Sequence, residues 1–125
     1  MEFTNHKAIY LQIADYICEK TLVNEWRSGD RIPSVRELGV ALEVNPNTVM
    51  RAYEYLTASG IIYNKRGIGF FLTDDTLAKI RALQKELFIS ESLPMLFKNI
   101  YLLEISLNEL QKQYKTFCDI NYPNN

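Results

Sequence analysis

Cysteine and histidine are scarce in this chain of 125 residues: it has two cysteines, Cys18 and Cys118, and one histidine, His6. Neither cysteine has a neighbouring Cys or His at a metal-binding spacing, so the sequence predicts no zinc site and no disulfide framework. No cysteine or serine has an evident base partner, which argues against an enzyme and against a cofactor. We interpret both cysteines as small buried or half-buried apolar residues.

An excess of one charge and long apolar runs are also lacking. Lys and Arg number 14 against 15 Asp and Glu, for a net charge of −1, and neither residues 1–73 nor residues 74–125 are basic overall. These numbers exclude a broadly basic surface, but they are compatible with a local basic patch. No apolar run approaches the roughly 18 residues of a membrane span, and no export signal opens the chain. We therefore expect a cytoplasmic protein with no membrane partner.

Two helix-start signals lie close together in the first half of the chain. Ser34 and Glu37 have the spacing of a capping box, in which side chains and backbone N–H groups pair reciprocally. Asn45 followed by Pro46 is a second start, because Asn caps a first turn and proline fits the first helical position. Two short helices joined by a tight turn form a helix-turn-helix, whose second helix enters a DNA major groove.

The surrounding pattern completes a winged helix over residues 1–73. An amphipathic helix is predicted from about Lys7 to Leu22, and Trp26 is predicted to be a core residue. Ile61–Asn64 and Ile68–Leu72 are predicted strands of a hairpin whose turn is Lys65–Gly67. The predicted buried residues of the two motif helices are Val35, Leu38 and Leu42, then Val49, Ala52, Tyr53 and Leu56.

Polar residues on the second motif helix are predicted to face outward and to read base edges, since Asn and Arg hydrogen-bond bases in the major groove. The hairpin tip carries basic residues beside small glycines and can approach the DNA backbone or minor groove closely. Gly67 and Gly69 lead into a strand rather than a helix, so they are not a dinucleotide-binding motif. The predicted DNA-binding residues are Ser34, Arg36, Asn45, Asn47, Thr48, Arg51, Tyr55, Lys65, Arg66, Gly67 and Gly69.

Each of these residues also has a purely structural interpretation. The basic side chains can be ordinary solvated charges. Asn45, Asn47 and Thr48 can serve only to cap a helix, and the glycines can be ordinary hairpin residues. Arg51 lies too far from the helix start to be a cap, so it is the strongest candidate.

Residues 74–125 contain no predicted strand and form a second region. Leu77, Ile80, Leu83 and Leu87 predict a helix that ends around Ser90 to Pro94. A longer helix follows, with an apolar stripe at alternating steps of three and four residues. The stripe comprises Leu93, Leu96, Ile100, Leu103, Leu107, Leu110, Tyr114 and Phe117. The first helix is too short to cover this apolar stripe, so we predict a two-helix tail that forms a homodimer. The alternative is that the N-terminal domain of the same chain covers the stripe.

Three segments resemble the GntR family of bacterial transcriptional regulators. They are Tyr10–Ile13, Gly29–Leu38, and Asn45–Val49 with the following Ala52, Tyr53 and Leu56. The last segment resembles the YtrA-type subgroup, whose members join a winged helix to a very short helical tail. The resemblance implies a dimeric repressor that contacts operator DNA through Arg36, the first turn of the recognition helix, Arg51 and the wing near Lys65 to Gly69. Glu43 departs from the pattern, since relatives often carry a turn glycine there.

The sequence therefore predicts an α+β fold, mainly α, with a winged helix-turn-helix over 1–73 and a dimerisation tail over 74–125. The predicted function is a sequence-specific regulator that binds a pseudo-palindromic, double-stranded operator as a homodimer and acts as a repressor. A winged helix used as a protein-interaction module is the alternative, favoured by the neutral charge and by the tyrosines. A small-molecule effector is compatible with this organisation, but no convergent polar cluster identifies a site for one.

Overall fold

The computed structural model describes residue 3 and residues 7–124, and it contains six α-helices, one π-helical turn and two strands within that part of the chain. In chain order they are α1 (Ile9–Leu22), α2 (Val35–Leu42), α3 (Pro46–Ala58), β1 (Ile62–Lys65), β2 (Gly69–Leu72), α4 (Thr76–Leu87), the π-helical turn (Phe88–Ser92), α5 (Leu93–Leu102) and α6 (Leu107–Asn121). The predicted winged helix-turn-helix and its mainly helical α+β class are confirmed. Nowhere in these described ranges is a helix both long and apolar enough to cross a bilayer.

Both predicted helix starts of the helix-turn-helix are confirmed by their capping bonds. The Glu37 backbone N–H donates to Ser34 Oγ at 3.1 Å, and the Ser34 N–H donates to Glu37 Oε1 at 3.0 Å, which is a complete capping box. The Asn47 N–H donates to Asn45 Oδ1 at 2.8 Å, with Pro46 as the first helical residue. Local hydrogen bonding therefore fixes where α2 and α3 begin.

The turn between α2 and α3 contains a residue in an unfavourable conformation. Glu43 ends α2 with φ 57° and ψ 46°, the left-handed region, where an L side chain is strained and glycine is not. The turn glycine that the family resemblance predicts at this position would therefore suit the observed backbone. The tight turn is retained despite the departure from the family pattern.

We expect Glu43→Gly to raise the free energy of unfolding by about 0.5–1 kcal/mol. Relief of left-handed strain outweighs the greater freedom of glycine in the unfolded chain. Urea unfolding measures the change, and Glu43→Ala is the matched control because it removes the carboxylate but keeps Cβ. If both variants have the same free energy of unfolding, backbone strain at Glu43 does not lower the stability of the protein.

A single core joins the three N-terminal helices to the hairpin. Ile13 and Ile17 of α1, Leu38 of α2 and Ile62 of β1 are buried together with the α3 stripe. The stripe residues Val49, Ala52, Tyr53 and Leu56 are all completely buried. Trp26 is half-buried and lies edge-on to Tyr16, with ring centroids 6.3 Å apart. The predicted buried faces of α2 and α3 are therefore confirmed, except that Val35 is only half-buried against the core. The opposite face of α3 points outward.

The wing is an antiparallel pair with a third segment along its outer edge. β1 pairs with β2 in the register Ile62↔Leu72 to Lys65↔Gly69. The segment before α2 then pairs with β2: the Ile32 N–H donates to the Phe70 carbonyl at 3.0 Å, and the Leu72 N–H donates to the Asp30 carbonyl at 2.9 Å. The hairpin turn is Arg66–Ile68, one residue later than predicted. Residues 30–32 therefore tie the wing to the start of α2.

The chain divides into two compact units, Met1–Gln84 and Lys85–Asn125. This division falls within α4. The first turns of α4 belong to the N-terminal unit because Ile80 is completely buried and Thr76 Oγ1 donates to the Ile61 carbonyl at 2.9 Å. Thr73 Oγ1 donates to the Gly60 carbonyl at 2.9 Å. These hydroxyls attach the start of α4 to the segment between α3 and β1.

The tail differs from its prediction in where its helices end. The predicted helix end around Ser90 to Pro94 is wrong, because Leu87, Ser92 and Leu93 all keep right-handed helical backbone angles around the π-helical turn. Proline lacks an N–H and its ring clashes with the preceding turn. The wider π-helical turn directly before Pro94 accommodates it without a break.

The single long helix predicted from Leu93 to Phe117 is also wrong, because the chain turns between α5 and α6. Glu104 has φ 54°, in the left-handed region, and Ser106 caps α6 by accepting a hydrogen bond from the Glu109 N–H at 3.1 Å. The predicted stripe is therefore distributed over two helices, with Leu103 in the connection. The signal for this break is the Ser106-to-Glu109 spacing, which is the same capping pattern found at α2.

Candidate nucleic-acid interface

The outward face of α3 carries polar side chains beside its completely buried stripe. Asn47 and Arg51 are exposed and Thr48 is half-buried. An exposed polar face on the second helix of a helix-turn-helix is the surface that meets base edges in a major groove. The structure places Asn47, Thr48 and Arg51 where the sequence predicts them, and their contacts with DNA stay predictions.

The side chains of Ser34 and Asn45 are occupied in the free protein. Each side chain provides the oxygen that caps a helix, which is the structural role that the sequence predicts for both residues. The Glu37 carboxylate belongs to the same capping box, and its pKa is lowered by the backbone and side-chain hydrogen bonds with Ser34 and by the nearby Arg31 charge. Glu37 is therefore ionised at neutral pH, and Ser34 and Asn45 have a structural role that is independent of any DNA contact.

Arg51 is held by a tyrosine from another helix. Its guanidinium carbon lies 4.0 Å from the centroid of the Tyr10 ring, within the range of a cation–π contact. Tyr55, one turn along α3, lies edge-on to the same ring, with centroids 6.3 Å apart and planes at 75°. Tyr55 is half-buried against the core, and burial raises its pKa. Tyr55 therefore lies at the packed edge of the outward face.

Tyr10 is a candidate functional residue that the sequence analysis did not identify. No pattern within α1 indicates that Tyr10 meets α3, because the contact depends on how the two helices pack. Arg36 was identified and is exposed in the first turn of α2. A basic side chain at that position is free to reach a phosphate or a base.

The wing exposes Lys65, Arg66 and Gly67 as predicted. Gly67 has φ +80° and open space where a side chain would be. Lys65 Nζ lies 5.7 Å from the centroid of the Phe71 ring. Exposed cations at a glycine-containing tip can contact the sugar-phosphate backbone.

Gly69 has a steric role within the protein. A Cβ at this position would lie 2.9 Å from Arg31 Nε, and the φ of +147° is itself unfavourable for an L residue. Arg31 therefore lies against the wing strand and adds a further basic side chain to that region. Arg31 is not among the DNA-binding residues predicted from the sequence, because its proximity to Gly69 depends on the pairing of residues 30–32 with β2.

The described cysteines and potential metal ligands were predicted to lack a metal site. No cluster of three His, Cys, Asp or Glu side chains that could hold a metal occurs among them, and His6 lies outside them. Cys18 is buried, and burial raises its pKa to about 12. Its thiol is therefore protonated and unreactive at neutral pH. Cys118 is half-buried, so both cysteines match their predicted environments.

Comparison with known proteins identifies the family. The family model described as "Bacterial regulatory proteins, gntR family" matches residues 9–72. The HTH-type transcriptional regulator YhcF of Bacillus subtilis is 36% identical over 118 residues, which cover 94% of this chain and 96% of YhcF. The HTH-type transcriptional repressor YtrA of Bacillus subtilis is 35% identical over 108 residues, which cover 86% of this chain and 82% of YtrA.

A crystal structure of a GntR-family protein from Bacteroides thetaiotaomicron has a TM-score of 0.75 and 48% sequence identity, covering 90% of this chain and 97% of that one. These two relatives and this structure are transcriptional regulators rather than enzymes, and this chain spans most of the length of each. This chain therefore belongs to the GntR family of bacterial regulatory proteins and is a DNA-binding transcriptional regulator.

Proposed function

We propose that this regulator is a cytoplasmic repressor that binds a pseudo-palindromic operator in double-stranded DNA as a homodimer. The observation that carries the proposal is the uncovered apolar surface of α5 and α6. None of the residues in these two helices is buried, and Tyr101, Leu102 and Leu107 are 82%, 61% and 71% exposed. An apolar surface of this extent is typical of an interface between protein chains.

The distribution of this surface favours a second copy of the chain as its partner. On α5, Leu93, Leu96, Phe97 and Ile100 lie on one side of the helix, whereas Met95 and Leu102 lie on the opposite side and are exposed. A helix that is apolar on several sides is normally buried. A symmetric dimer covers such a surface on both copies at once. The residues that we propose at this interface are Leu93, Leu96, Ile100, Leu103, Leu107, Leu110 and Tyr114.

Dimerisation would also supply the affinity that one winged helix lacks. Two recognition helices at a fixed separation match half-sites about 10 base pairs, or a multiple of that, apart. Linking the two binding events can raise the affinity about 10²- to 10⁴-fold over either one. The repressor role is supported by the similarity to YtrA, which is named a transcriptional repressor.

The proposed DNA-contacting surface consists of the outward face of α3, the first turn of α2 and the wing. Arg51 and Asn47 on α3 would read base edges. Arg36, Lys65 and Arg66 would contact phosphates, which position the protein without reading sequence. Binding would then be strongly salt-dependent, because each neutralised phosphate steepens the logarithmic salt dependence by about 0.9.

We expect Arg51→Ala to weaken binding to a selected operator by about 5- to 150-fold, the range for a lost bidentate contact to a base. Fluorescence anisotropy measures it on a labelled duplex selected from a random library by the parent protein. Arg81→Ala is the matched control, since Arg81 is an exposed arginine on α4 outside the proposed surface. Equal affinity of Arg51→Ala and the parent protein would contradict the proposed role of this face.

A further inference from the structure

The contact between Arg51 and Tyr10 joins the recognition helix to α1. The Arg51 guanidinium lies 4.0 Å from the Tyr10 ring centroid. Ion pairs in the described part of the chain join Lys7 with Asp15, Lys20 with Glu25, and Lys79 with Asp75, so the Arg51 charge is not paired with a carboxylate there. The aromatic face is therefore the contact that restrains this side chain in the free protein.

From this geometry we infer that Tyr10 is a positioning residue for DNA binding, which holds the Arg51 guanidinium against its ring in the orientation that meets DNA. The inference rests on the proposed role of the α3 face and adds a residue from α1 to it. Tyr10 itself need not touch DNA.

A stacked guanidinium keeps its capacity to bind DNA. At 4.0 Å from its central carbon to the ring centroid, a guanidinium can stack with its flat face on the ring, which leaves its five N–H donors pointing outward in the plane. Those donors stay available for a guanine edge or a phosphate. Stacking therefore restrains Arg51 without occupying the groups that recognition requires.

The restraint matters because a free arginine side chain has high conformational entropy. An exposed arginine loses rotamer freedom when it binds, and this loss opposes binding. A side chain already held in the bound orientation loses less, so preorganisation increases affinity.

Tyr10 is itself fixed from a second side. Tyr55 lies edge-on to the Tyr10 ring, with centroids 6.3 Å apart, and is half-buried against the core. Because Tyr55 is four residues after Arg51, both lie on the same side of α3. The ring from α1 is thus held between two residues of the recognition helix, and this makes it a rigid support.

A double-mutant cycle in the full-length protein tests the inference. Affinity for the selected operator is measured for the parent protein, Tyr10→Leu, Arg51→Ala and the double variant. We expect Tyr10→Leu to weaken binding about two- to fivefold, as for an exposed cation–π contact. In the Arg51→Ala background the same change should have no effect. Tyr10→Phe keeps the aromatic face and should bind like the parent protein.

Tyr16→Leu is the matched control. Tyr16 is on the same helix, is half-buried, lies edge-on to Trp26 and carries the Lys20 ammonium 5.3 Å from its ring centroid. In the described part of the chain, the ring and cation–π partners of Tyr16 are Trp26 and Lys20, and neither belongs to α3. Tyr16→Leu should therefore leave operator affinity unchanged even if it lowers stability as much as Tyr10→Leu does.

Three results would overturn the inference. Parental affinity for Tyr10→Leu would show that the stacking does not aid binding. An equal loss from Tyr10→Leu with and without Arg51, or a loss in Tyr10→Phe equal to that in Tyr10→Leu, would show that Tyr10 acts by another route. If Arg51→Ala weakens binding while Tyr10→Leu does not, only the positioning role of Tyr10 is contradicted. If Arg51→Ala binds like the parent protein, the proposed DNA-contacting role of the α3 face is contradicted as well.

Discussion

Replacing Leu107 and Tyr114 together by glutamate should convert the protein to a monomer and lower operator affinity by about 10²- to 10⁴-fold. The two side chains are 71% and 69% exposed in the single chain, so the change removes no core packing from it. They are seven residues apart on α6 and therefore share one face. Charges on that face would oppose burial against a second copy, and the bivalent gain in affinity would be lost.

Sedimentation velocity measures the oligomeric state, and anisotropy with the selected operator measures the affinity. The matched control is Asn108→Glu with Thr116→Glu, which adds the same charge on the opposite side of α6 and should leave both quantities unchanged. A Leu107→Glu, Tyr114→Glu variant that stays dimeric would show that the proposed interface does not include this face.

Replacing Tyr53 by alanine should lower the free energy of unfolding by about 3–5 kcal/mol, the cost of truncating a buried aromatic residue. Tyr53 is completely buried in α3, and its ring lies edge-on to Phe70 of the wing, with centroids 4.9 Å apart. Its hydroxyl donates to the Pro33 carbonyl at 2.5 Å, just before α2. One residue thus joins α3, the wing and the start of α2. Because a domain is stable by only about 5–15 kcal/mol in total, the loss is large.

Tyr53→Phe separates the hydroxyl from the ring and should lower stability by about 1–2 kcal/mol, because the Pro33 carbonyl loses its donor. Tyr63→Phe is the control, since Tyr63 is exposed and its hydroxyl loss should cost less than about 0.5 kcal/mol. Urea unfolding measures all three variants. Equal stabilities for Tyr53→Phe and Tyr63→Phe would contradict a structural role for the Tyr53 hydroxyl.

The stability difference between the parent protein and Tyr53→Phe should also depend on pH. Burial raises the pKa of Tyr53 above its ordinary value of 10.0. A raised pKa in the folded state means that the protonated hydroxyl stabilises the fold fully below pH 10 and that this contribution is lost as pH rises further. The difference should therefore be constant near neutral pH and shrink in alkali.

The N-terminal elements could be predicted because their signals are local. Ser34 with Glu37, and Asn45 with Pro46, fix helix starts through bonds made within three residues. The stripe of α3 follows from helical spacing alone. Glu43 shows the limit of such reasoning, since the turn forms with a strained residue where a glycine is expected.

The tail was predicted less well because apolar spacing continues through a break. Leu103 and Leu107 keep the spacing of four residues although a turn separates α5 from α6. The capping pattern at Ser106 and Glu109 indicates the start of α6 more reliably than the apolar spacing does. The π-helical turn before Pro94 has no comparable sequence signal, because proline usually ends or kinks a helix.

Contacts between distant segments of the candidate site could not be predicted from one sequence. Tyr10 meets Arg51 only when α1 packs on α3, and Arg31 meets Gly69 only when residues 30–32 pair with β2. The residue types of Arg51 and of the wing cations were sufficient to predict them as DNA-contacting residues. Their neighbours Tyr10 and Arg31 could be recognised only from the tertiary structure.

Only residues 73–75 lie between the wing and α4, and the hydroxyls of Thr73 and Thr76 bind the carbonyls of Gly60 and Ile61, just past the end of α3. The connection is three residues long, and these hydrogen bonds hold the start of α4 close to the end of the recognition helix. In the proposed dimer, adaptation to a different operator spacing would therefore have to arise beyond the first turn of α4, because the connection of residues 73–75 is short and held by hydrogen bonds.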